Sequence, residues 1–118
     1  MINFDLEKNR IIAKQNNIRI GYLKFAYPND SSKYRNIVID YVYVKPLFRR
    51  KGVATQMIKF FLEKFKDSVW VSLWTGRQME IDKSYNLYKK LNFKQLAYQA
   101  DYYEKNLGAR MFVKRVLK

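Results

Sequence analysis

Three consecutive cations stand directly before a glycine in this 118-residue sequence. Arg49, Arg50 and Lys51 precede Gly52, and a stretch with helical periodicity follows. The N-terminus of a helix is the positive end of its dipole, so each cation placed there costs about 0.3–1 kcal/mol. The cost disappears when an anion binds to the free backbone N–H groups and to the cations. The segment therefore predicts a phosphate-binding turn, and a solvated basic loop is the alternative interpretation.

The composition excludes several catalytic chemistries. The chain has no Cys and no His, which rules out disulfides, thiol nucleophiles, thiolate zinc sites and imidazole bases, and we predict no metal site. Lys and Arg number 24 against 10 Asp and Glu, which gives a net charge of +14. A surface this basic predicts a polyanionic ligand: nucleic acid, an anionic membrane or a phosphate-rich cofactor.

No segment predicts a secretory signal or a membrane span. The first residues, MINFDLE, lack a basic region followed by an apolar one. The longest nearly apolar run, Ile37 to Val44, is too short to cross a bilayer. We therefore expect a cytoplasmic protein without a membrane partner.

Two periodicities divide the chain into strands and helices. Before residue 45, alternating and β-branched segments predict four strands, with Asn16-Asn17 as a hairpin turn. From Val53 onward, apolar residues recur every four positions and predict an amphipathic helix of about four turns. The rest is predicted as a strand over 69–74, a polar loop over 75–80, a helix over 81–91 and strands over 93–104 and 109–117. This order predicts one α+β, or mixed α/β, domain over residues 1–118 with a central strand–helix–strand unit.

Two motifs resemble the signatures of the GNAT N-acetyltransferase superfamily. Arg49-x-x-Gly52-x-Ala54 is similar to the acyl-CoA signature Q/R-x-x-G-x-G/A, and SYNLYKKLNF over 84–93 is similar to the second signature, approximately A-x-x-L-Y-x-K-L-G-F. Tyr102-Tyr103 and the segment 109–114 resemble the closing strand pair of the family. The resemblance covers about residues 9–117 and implies a GNAT-like acyl-CoA N-acyltransferase fold, with a mixed sheet of six to seven strands. It also implies a small, N-terminally abbreviated member with a reduced set of helices.

The resemblance implies acetyl-CoA as co-substrate and a primary amine that attacks its thioester directly. In such folds the central parallel strands diverge at a bulge, where backbone amides pair with the pantetheine arm. The residues implied for the pantetheine are Val42, Tyr43 and Val44, and those implied for the pyrophosphate are Arg50, Lys51, Gly52, Val53, Ala54 and Thr55, with Arg49 shaping the turn. Val42 and Val44 have an ordinary interpretation as core residues of a strand, which is compatible with a backbone contact.

Tyr88 matches the tyrosine that many family members place near the CoA sulfur. The leaving thiolate must take up a proton, and a phenol with a pKa of about 10 can donate it. The alternative interpretation of Tyr88 is a helix residue that packs on the sheet. The oxyanion also needs a donor, which we expect to be a backbone N–H at the bulge near Val44.

A general base is harder to identify in a chain without histidine. The acceptor amine, with a pKa near 10.4, must lose a proton before it attacks. Some relatives use a glutamate on the strand over 69–74, where this sequence offers only Ser72. We expect Asp40 to be the base and keep Glu80 and Asp82 as alternatives. Each also has an ordinary structural interpretation. Asp40 would lie on the polar face of a strand, Glu80 on a loop surface, and Asp82 at the acidic start of a helix.

The acceptor side is predicted to be open. Most family members cover it with two helices after the first strand, and no segment before residue 45 is long enough for them. An open site suits a protein lysine or N-terminus; a small amine, or a homodimer whose partner subunit completes the pocket, is the alternative. The aromatic residues that we expect near it are Tyr27, Tyr34, Tyr41, Tyr43, Trp74, Tyr102 and Tyr103.

Two other functions fit parts of the sequence. A catalytically weak acyl-CoA sensor would keep the cofactor site and would explain the lack of an obvious base. A basic nucleic-acid-binding module would explain the charge and the interleaved aromatic residues, but it would leave the two ordered motifs as a coincidence.

Overall fold

A seven-stranded mixed sheet dominates the computed structural model, which describes residues 1–27 and 36–117. The strands in chain order are β1 (Ile2–Glu7), β2 (Arg10–Gln15), β3 (Ile18–Ala26), β4 (Asn36–Val44), β5 (Trp70–Trp74), β6 (Lys94–Glu104) and β7 (Leu107–Arg115). The helices are α1 (Val53–Lys64), α2 (Arg77–Asp82) and α3 (Asn86–Lys90), and a 3-10 turn lies at Pro46–Phe48. The order across the sheet is β1-β2-β3-β4-β5-β7-β6, and β4 and β5 are parallel. The predicted fold class and the central β4-α1-β5 unit are confirmed.

Tight turns connect the first three strands into an antiparallel meander. Lys8 and Asn9 alone separate β1 from β2, and Lys8 takes a positive φ of 43°. Asn16 and Asn17, at φ 52° and 65°, form the predicted hairpin turn between β2 and β3. Within the described residues, no helix therefore lies between β1 and β2.

Helix α1 packs its apolar side on one face of the sheet. Val53, Met57, Ile58 and Phe61 are buried there, as the four-residue periodicity predicts. The ring centroid of Phe61 lies 5.3 Å from that of Phe25 on β3, so an aromatic pair forms part of the contact between the helix and the sheet. The helices of the described segments are too short or too polar to cross a bilayer.

All three helices lie on the same face of the sheet. Phe25 pairs in register with Ile39 of β4 and faces α1. Ile37, on the same side of β4, pairs with Val71 of β5. Farther across the sheet, Phe112 of β7 stacks on Tyr88 of α3. The opposite face carries no helix within residues 1–27 and 36–117, and we call it the helix-free face. Its aromatic side chains include Tyr22, Tyr41, Tyr43, Trp70 and Trp74.

The prediction of a polar loop over 75–80 and one helix over 81–91 is wrong. α2 begins at Arg77, and the chain leaves the helix at Lys83, which takes a positive φ of 59°. The carboxylate of Asp82 accepts a hydrogen bond from the Ser84 N–H at 3.0 Å, which offers the backbone an alternative to a continuous helix. α3 then starts at Asn86. A repeat of apolar residues cannot distinguish one helix from two short ones with a turn between them.

Phe61→Ala tests whether α1 is held by this aromatic contact. Phe61 is fully buried, so we expect a loss of about 3–5 kcal/mol in the free energy of unfolding, measured by urea denaturation. Phe60→Ala is the matched control, because Phe60 is only partly buried, against Phe4 at 5.5 Å, and should cost clearly less. Equal losses for the two variants would contradict this packing.

Candidate active site

The parallel strands β4 and β5 pair over only three residues and then diverge. The pairs are Asn36 with Trp70, Ile37 with Val71, and Val38 with Ser72. β4 continues to Val44 and β5 to Trp74 without further pairing between them. A cleft therefore opens at the carboxyl ends of the two strands, which is where open α/β sheets bind ligands.

A β-bulge lies at the point of divergence. The consecutive β3 residues Lys24 and Phe25 pair with Tyr41 and Ile39, so Asp40 is the extra residue of β4. The expectation of a bulge near Val44 is therefore wrong. The sequence does carry a signal for the correct position. Ile37 and Ile39 occupy odd positions of β4, and Val42 and Val44 occupy even ones, with Val38 as a further apolar residue on the other face. Only an inserted residue keeps both pairs on one face.

Asp40 and Tyr88 both line the cleft. Its walls come from β4, β5, α2 and α3, and its volume is about 10 Å³, close to that of a single water probe. The lining residues are Ile39, Asp40, Tyr41, Val42, Leu73, Trp74, Met79 and Tyr88. The fold thus brings the two predicted catalytic residues together from separate motifs.

Tyr88 is held by aromatic packing on two sides. Its ring lies 5.4 Å from Phe93, edge to face, and 6.0 Å from Phe112, stacked. Only 2% of Tyr88 is exposed, and this burial raises the pKa of its phenol well above the usual value. The side chain therefore packs on the sheet, lines the cleft and remains protonated at neutral pH.

Arg49 closes the turn that follows β4. Its Nε donates a hydrogen bond to the Val44 carbonyl oxygen at 2.7 Å, and its guanidinium lies 5.7 Å from the centre of the Tyr43 ring. The Arg49 N–H donates to the Pro46 carbonyl oxygen at 3.3 Å. Arg49 thus fixes the direction in which the chain leaves the strand and enters α1.

The N-terminus of α1 opens onto solvent at Gly52. Gly52 is the N-cap with φ 81°, a left-handed conformation that favours glycine. The Gln56 N–H donates the first helical bond, to the Gly52 carbonyl oxygen, so the N–H groups of residues 53–55 have no acceptor within the helix. A Cβ on Gly52 would meet only the Gln56 side chain, at 3.8 Å, so the space in front of it is open.

The sequence led us to expect the three cations in the first turn of α1. The structure shows that they do not lie there. Arg49, Arg50 and Lys51 lie in the loop before α1, where all three are exposed. Arg50 takes a positive φ of 63° there, which ends the 3-10 turn before the helix begins. The conflict with the helix dipole is thus smaller than predicted, and the three charges still lie beside the open N–H groups.

The alternative bases are engaged elsewhere. Glu80 accepts hydrogen bonds from the Arg110 Nε at 3.1 and 3.2 Å, and 4% of its side chain is exposed. Burial acts to raise the pKa of Asp82, but hydrogen bonds from Ser84 and Gln78 and the charge of Arg49 lower it overall. Asp40 alone of the three candidates lines the cleft. In the described ranges, no group of three or more acidic residues is placed to hold a metal ion.

Arg110 connects the elements on the α2 side of the cleft, a role that no sequence pattern predicted. Its guanidinium lies 4.3 Å from the ring centre of Tyr85 and 5.0 Å from that of Tyr98, in addition to its ion pair with Glu80. The Arg110 N–H donates to the Thr75 Oγ1 at 2.9 Å. Arg110 therefore ties α2 and the segment before α3 to β6 and β7. Tyr34, one of the aromatic residues expected near the acceptor, lies outside the described residues.

Comparison with known proteins places this architecture in a family. The model of the acetyltransferase (GNAT) family matches residues 2–93. Ard1 from Thermoplasma volcanium is 21% identical, with a TM-score of 0.76 over 94% of this chain and 72% of that one. The ribosomal-protein-S18-alanine N-acetyltransferase from Escherichia coli is 12% identical, with a TM-score of 0.79 over 96% and 73%. Arabidopsis thaliana Naa50, in complex with the bisubstrate analogue CoA-Ac-MVNAL, is 17% identical, with a TM-score of 0.75 over 91% and 72%. No curated protein matches the sequence.

The buried phenol of Tyr88 makes stability depend on alkaline pH. The raised pKa means that the unfolded chain, with a tyrosine pKa near 10, loses this proton before the folded one does, so stability is fully present below pH 10 and falls above it. At pH 11 the loss should be about 1.4 kcal/mol relative to pH 8. Urea denaturation at both pH values should show that Tyr88→Phe reduces the alkaline loss by this amount. An equal alkaline loss in the two proteins would contradict a buried, protonated Tyr88.

Proposed function

The chain belongs to the GNAT acetyltransferase family, and from this premise we propose that it transfers an acetyl group from acetyl-CoA to a primary amine. The observation that carries the proposal is the cleft between β4 and β5, which brings Asp40 and Tyr88 together. The open N-terminus of α1 begins a short loop after the same strand. An anion-binding turn and a cleft with an acid and a base are the parts that acetyl transfer from a phosphorylated thioester requires.

The divergence of the strands supplies hydrogen-bonding groups for the donor. Beyond Val38, the edge of β4 that faces β5 has no strand partner within residues 1–27 and 36–117. Backbone groups on this edge other than the Val44 carbonyl oxygen, which accepts from Arg49, are therefore available to a ligand. We assign the amides of the pantetheine arm to this edge at Val42 and Val44. Tyr43, the third residue that the resemblance implies, lies between them, and its backbone groups point to β3. We assign the pyrophosphate to the N–H groups of residues 52–55, flanked by Arg50 and Lys51, with Arg49 as the residue that holds the turn.

Tyr88 is the proposed proton donor of the reaction, and Asp40 is the proposed proton acceptor. Acetyl-CoA supplies a thioester whose carbonyl carbon accepts the amine and whose sulfur leaves as a thiolate. Tyr88 lines the cleft and is protonated at neutral pH, so it is the proposed donor of the proton that the thiolate takes up. Burial makes it a weaker acid than the free phenol considered from the sequence. Asp40, exposed at the edge of the cleft, accepts the proton that the amine loses, directly or through one water. A backbone N–H of β4 beyond Val38 is the proposed donor to the oxyanion.

A peptide or protein amine is the acceptor that the open face favours. No helix of the described residues covers the cleft from the helix-free face, so an extended chain could approach along the sheet. The analogue bound to Arabidopsis Naa50 joins CoA to a peptide, which supports the same acceptor class here. We therefore propose a protein N-terminus or lysine side chain as the acceptor.

The donor site is tested by removing the two charges that flank the turn. Arg50→Gln/Lys51→Gln should weaken CoA binding by roughly tenfold in isothermal titration calorimetry, because two charge-assisted contacts with phosphate are lost. The matched control is Lys59→Gln/Lys94→Gln, which removes the same charge from exposed positions on α1 and β6. A similar loss in the control would mean that net charge, not the turn, binds CoA.

The catalytic roles are tested by two conservative variants. Tyr88→Phe keeps the ring packing and removes the acid, so kcat for acetyl transfer should fall by about 10²–10⁴-fold with little change in CoA affinity. Asp40→Asn should lower the rate most at neutral pH, and less as the pH approaches the pKa of the amine. Thiol release from acetyl-CoA with a lysine peptide measures both. An unchanged rate for Tyr88→Phe would exclude its role, and CoA binding without transfer in the unmodified protein would indicate a sensor.

A further inference from the structure

A second pocket lies on the helix-free face, beside the end of β4. Its volume is about 140 Å³, room for a side chain rather than a single water. Its main lining residues, which define the basic pocket, are Arg10, Ile12, Arg19, Tyr22, Tyr43 and Lys45. It is therefore built from β2, β3 and the end of β4, outside the catalytic cleft.

An aromatic surface connects the basic pocket with the cleft. Tyr41, a wall of the cleft, stacks on Tyr43, a wall of the basic pocket, with ring centroids 6.5 Å apart. Tyr22 contacts both rings, at 6.0 and 5.7 Å. Tyr41 and Tyr43 are two residues apart on one strand, about 7 Å, and β3 lies about 5 Å farther across the sheet. A ligand group in the pocket would thus lie roughly 10 Å from the cleft, the reach of about three extended residues.

Cations outnumber carboxylates around the basic pocket. Arg10, Arg19 and Lys45 contribute three positive charges, and Glu7, 3.4 Å from Arg19, contributes one negative charge. The Arg10 guanidinium lies 5.3 Å from the Tyr22 ring centre, which holds it over the aromatic floor. Arg49 adds a fourth cation over the ring of Tyr43. Uncompensated positive charge around a pocket with an apolar floor favours a ligand that carries an acidic group on an apolar stem.

We propose that the basic pocket binds an acidic side chain of the acceptor peptide, two or three residues beyond the amine that is acetylated. The inference rests on the proposed function and adds the substrate class to it. Glutamate fits the pocket well, because its methylene groups can lie against Ile12 and Tyr22 while its carboxylate meets the cations. The pocket then acts on acceptor affinity, and the chemical step stays with the cleft.

Eight-residue peptides with a free N-terminal amine test the proposal. They differ only by Glu or Gln at position 3 or 4, counted from the residue that carries this amine. We expect kcat/KM to be about tenfold higher for Glu at one of these positions, through KM rather than kcat. Arg10→Gln/Arg19→Gln/Lys45→Gln should lose this preference. Glu7→Gln should increase it, because the competing carboxylate is removed. Lys59→Gln/Lys94→Gln, which changes the net charge on other surfaces, should keep it.

Binding measured without turnover keeps the inference separate from the proposed function. Fluorescence anisotropy with the labelled Glu and Gln peptides should show the same preference and the same dependence on the three cations, even if no acetyl transfer occurs. Failure of CoA binding would overturn the proposed function alone. Equal binding of the Glu and Gln peptides would overturn the inference. Tighter binding of a single-stranded RNA, lost in the triple variant, would also overturn it and identify the face as a nucleic-acid surface.

Discussion

The extra residue at Asp40 is the constraint on which the rest of the site depends. Because side chains alternate along a strand, one inserted residue lets Ile39 and Val42 face the same core. Tyr41 and Tyr43 are directed to the helix-free face by the same insertion. Pairing with β5 ends two residues before the bulge, so the cleft opens where the polar side chain of Asp40 is available. A regular strand would direct Tyr41 and Tyr43 into the core on the helical face.

The bulge lies between the regions proposed for the acetyl donor and for the acceptor amine. On the helical side, α1 presents its open N-terminus and Arg49 holds the turn against Val44. On the helix-free face, the two-residue link between β1 and β2 leaves the tyrosines of β3 and β4 uncovered within the described residues. Donor and acceptor can therefore approach the cleft from opposite sides of the sheet. Neither needs to leave before the other binds.

Local patterns predicted the parts of the fold that depend on neighbours in sequence. The asparagine turn, the apolar side of α1 and the β4-α1-β5 unit all follow from short-range periodicity and turn chemistry. The break at Lys83 was missed because the hydrogen bond that the Ser84 backbone N–H donates to the Asp82 carboxylate, not hydropathy, decides it. The Arg110–Glu80 pair was missed for a different reason. It exists only because β7 passes beside α2, and no local pattern specifies which distant segments meet.

For ligand binding, the positions of the cations matter more than the net charge of +14. At physiological ionic strength, exposed charges are screened beyond about 8 Å, so most of the excess cannot act on a ligand in the cleft. Carboxylates already pair with several cations, among them Lys14, Arg77 and Arg110. Two groups of exposed cations lie where a ligand would meet them directly, one in the loop before α1 and the other around the basic pocket. In the proposed reaction, Arg50 and Lys51 face the phosphates of the donor, and Arg10, Arg19 and Lys45 face the acceptor. Arg49 lies between the two groups, because it holds the turn against Val44 and covers the ring of Tyr43.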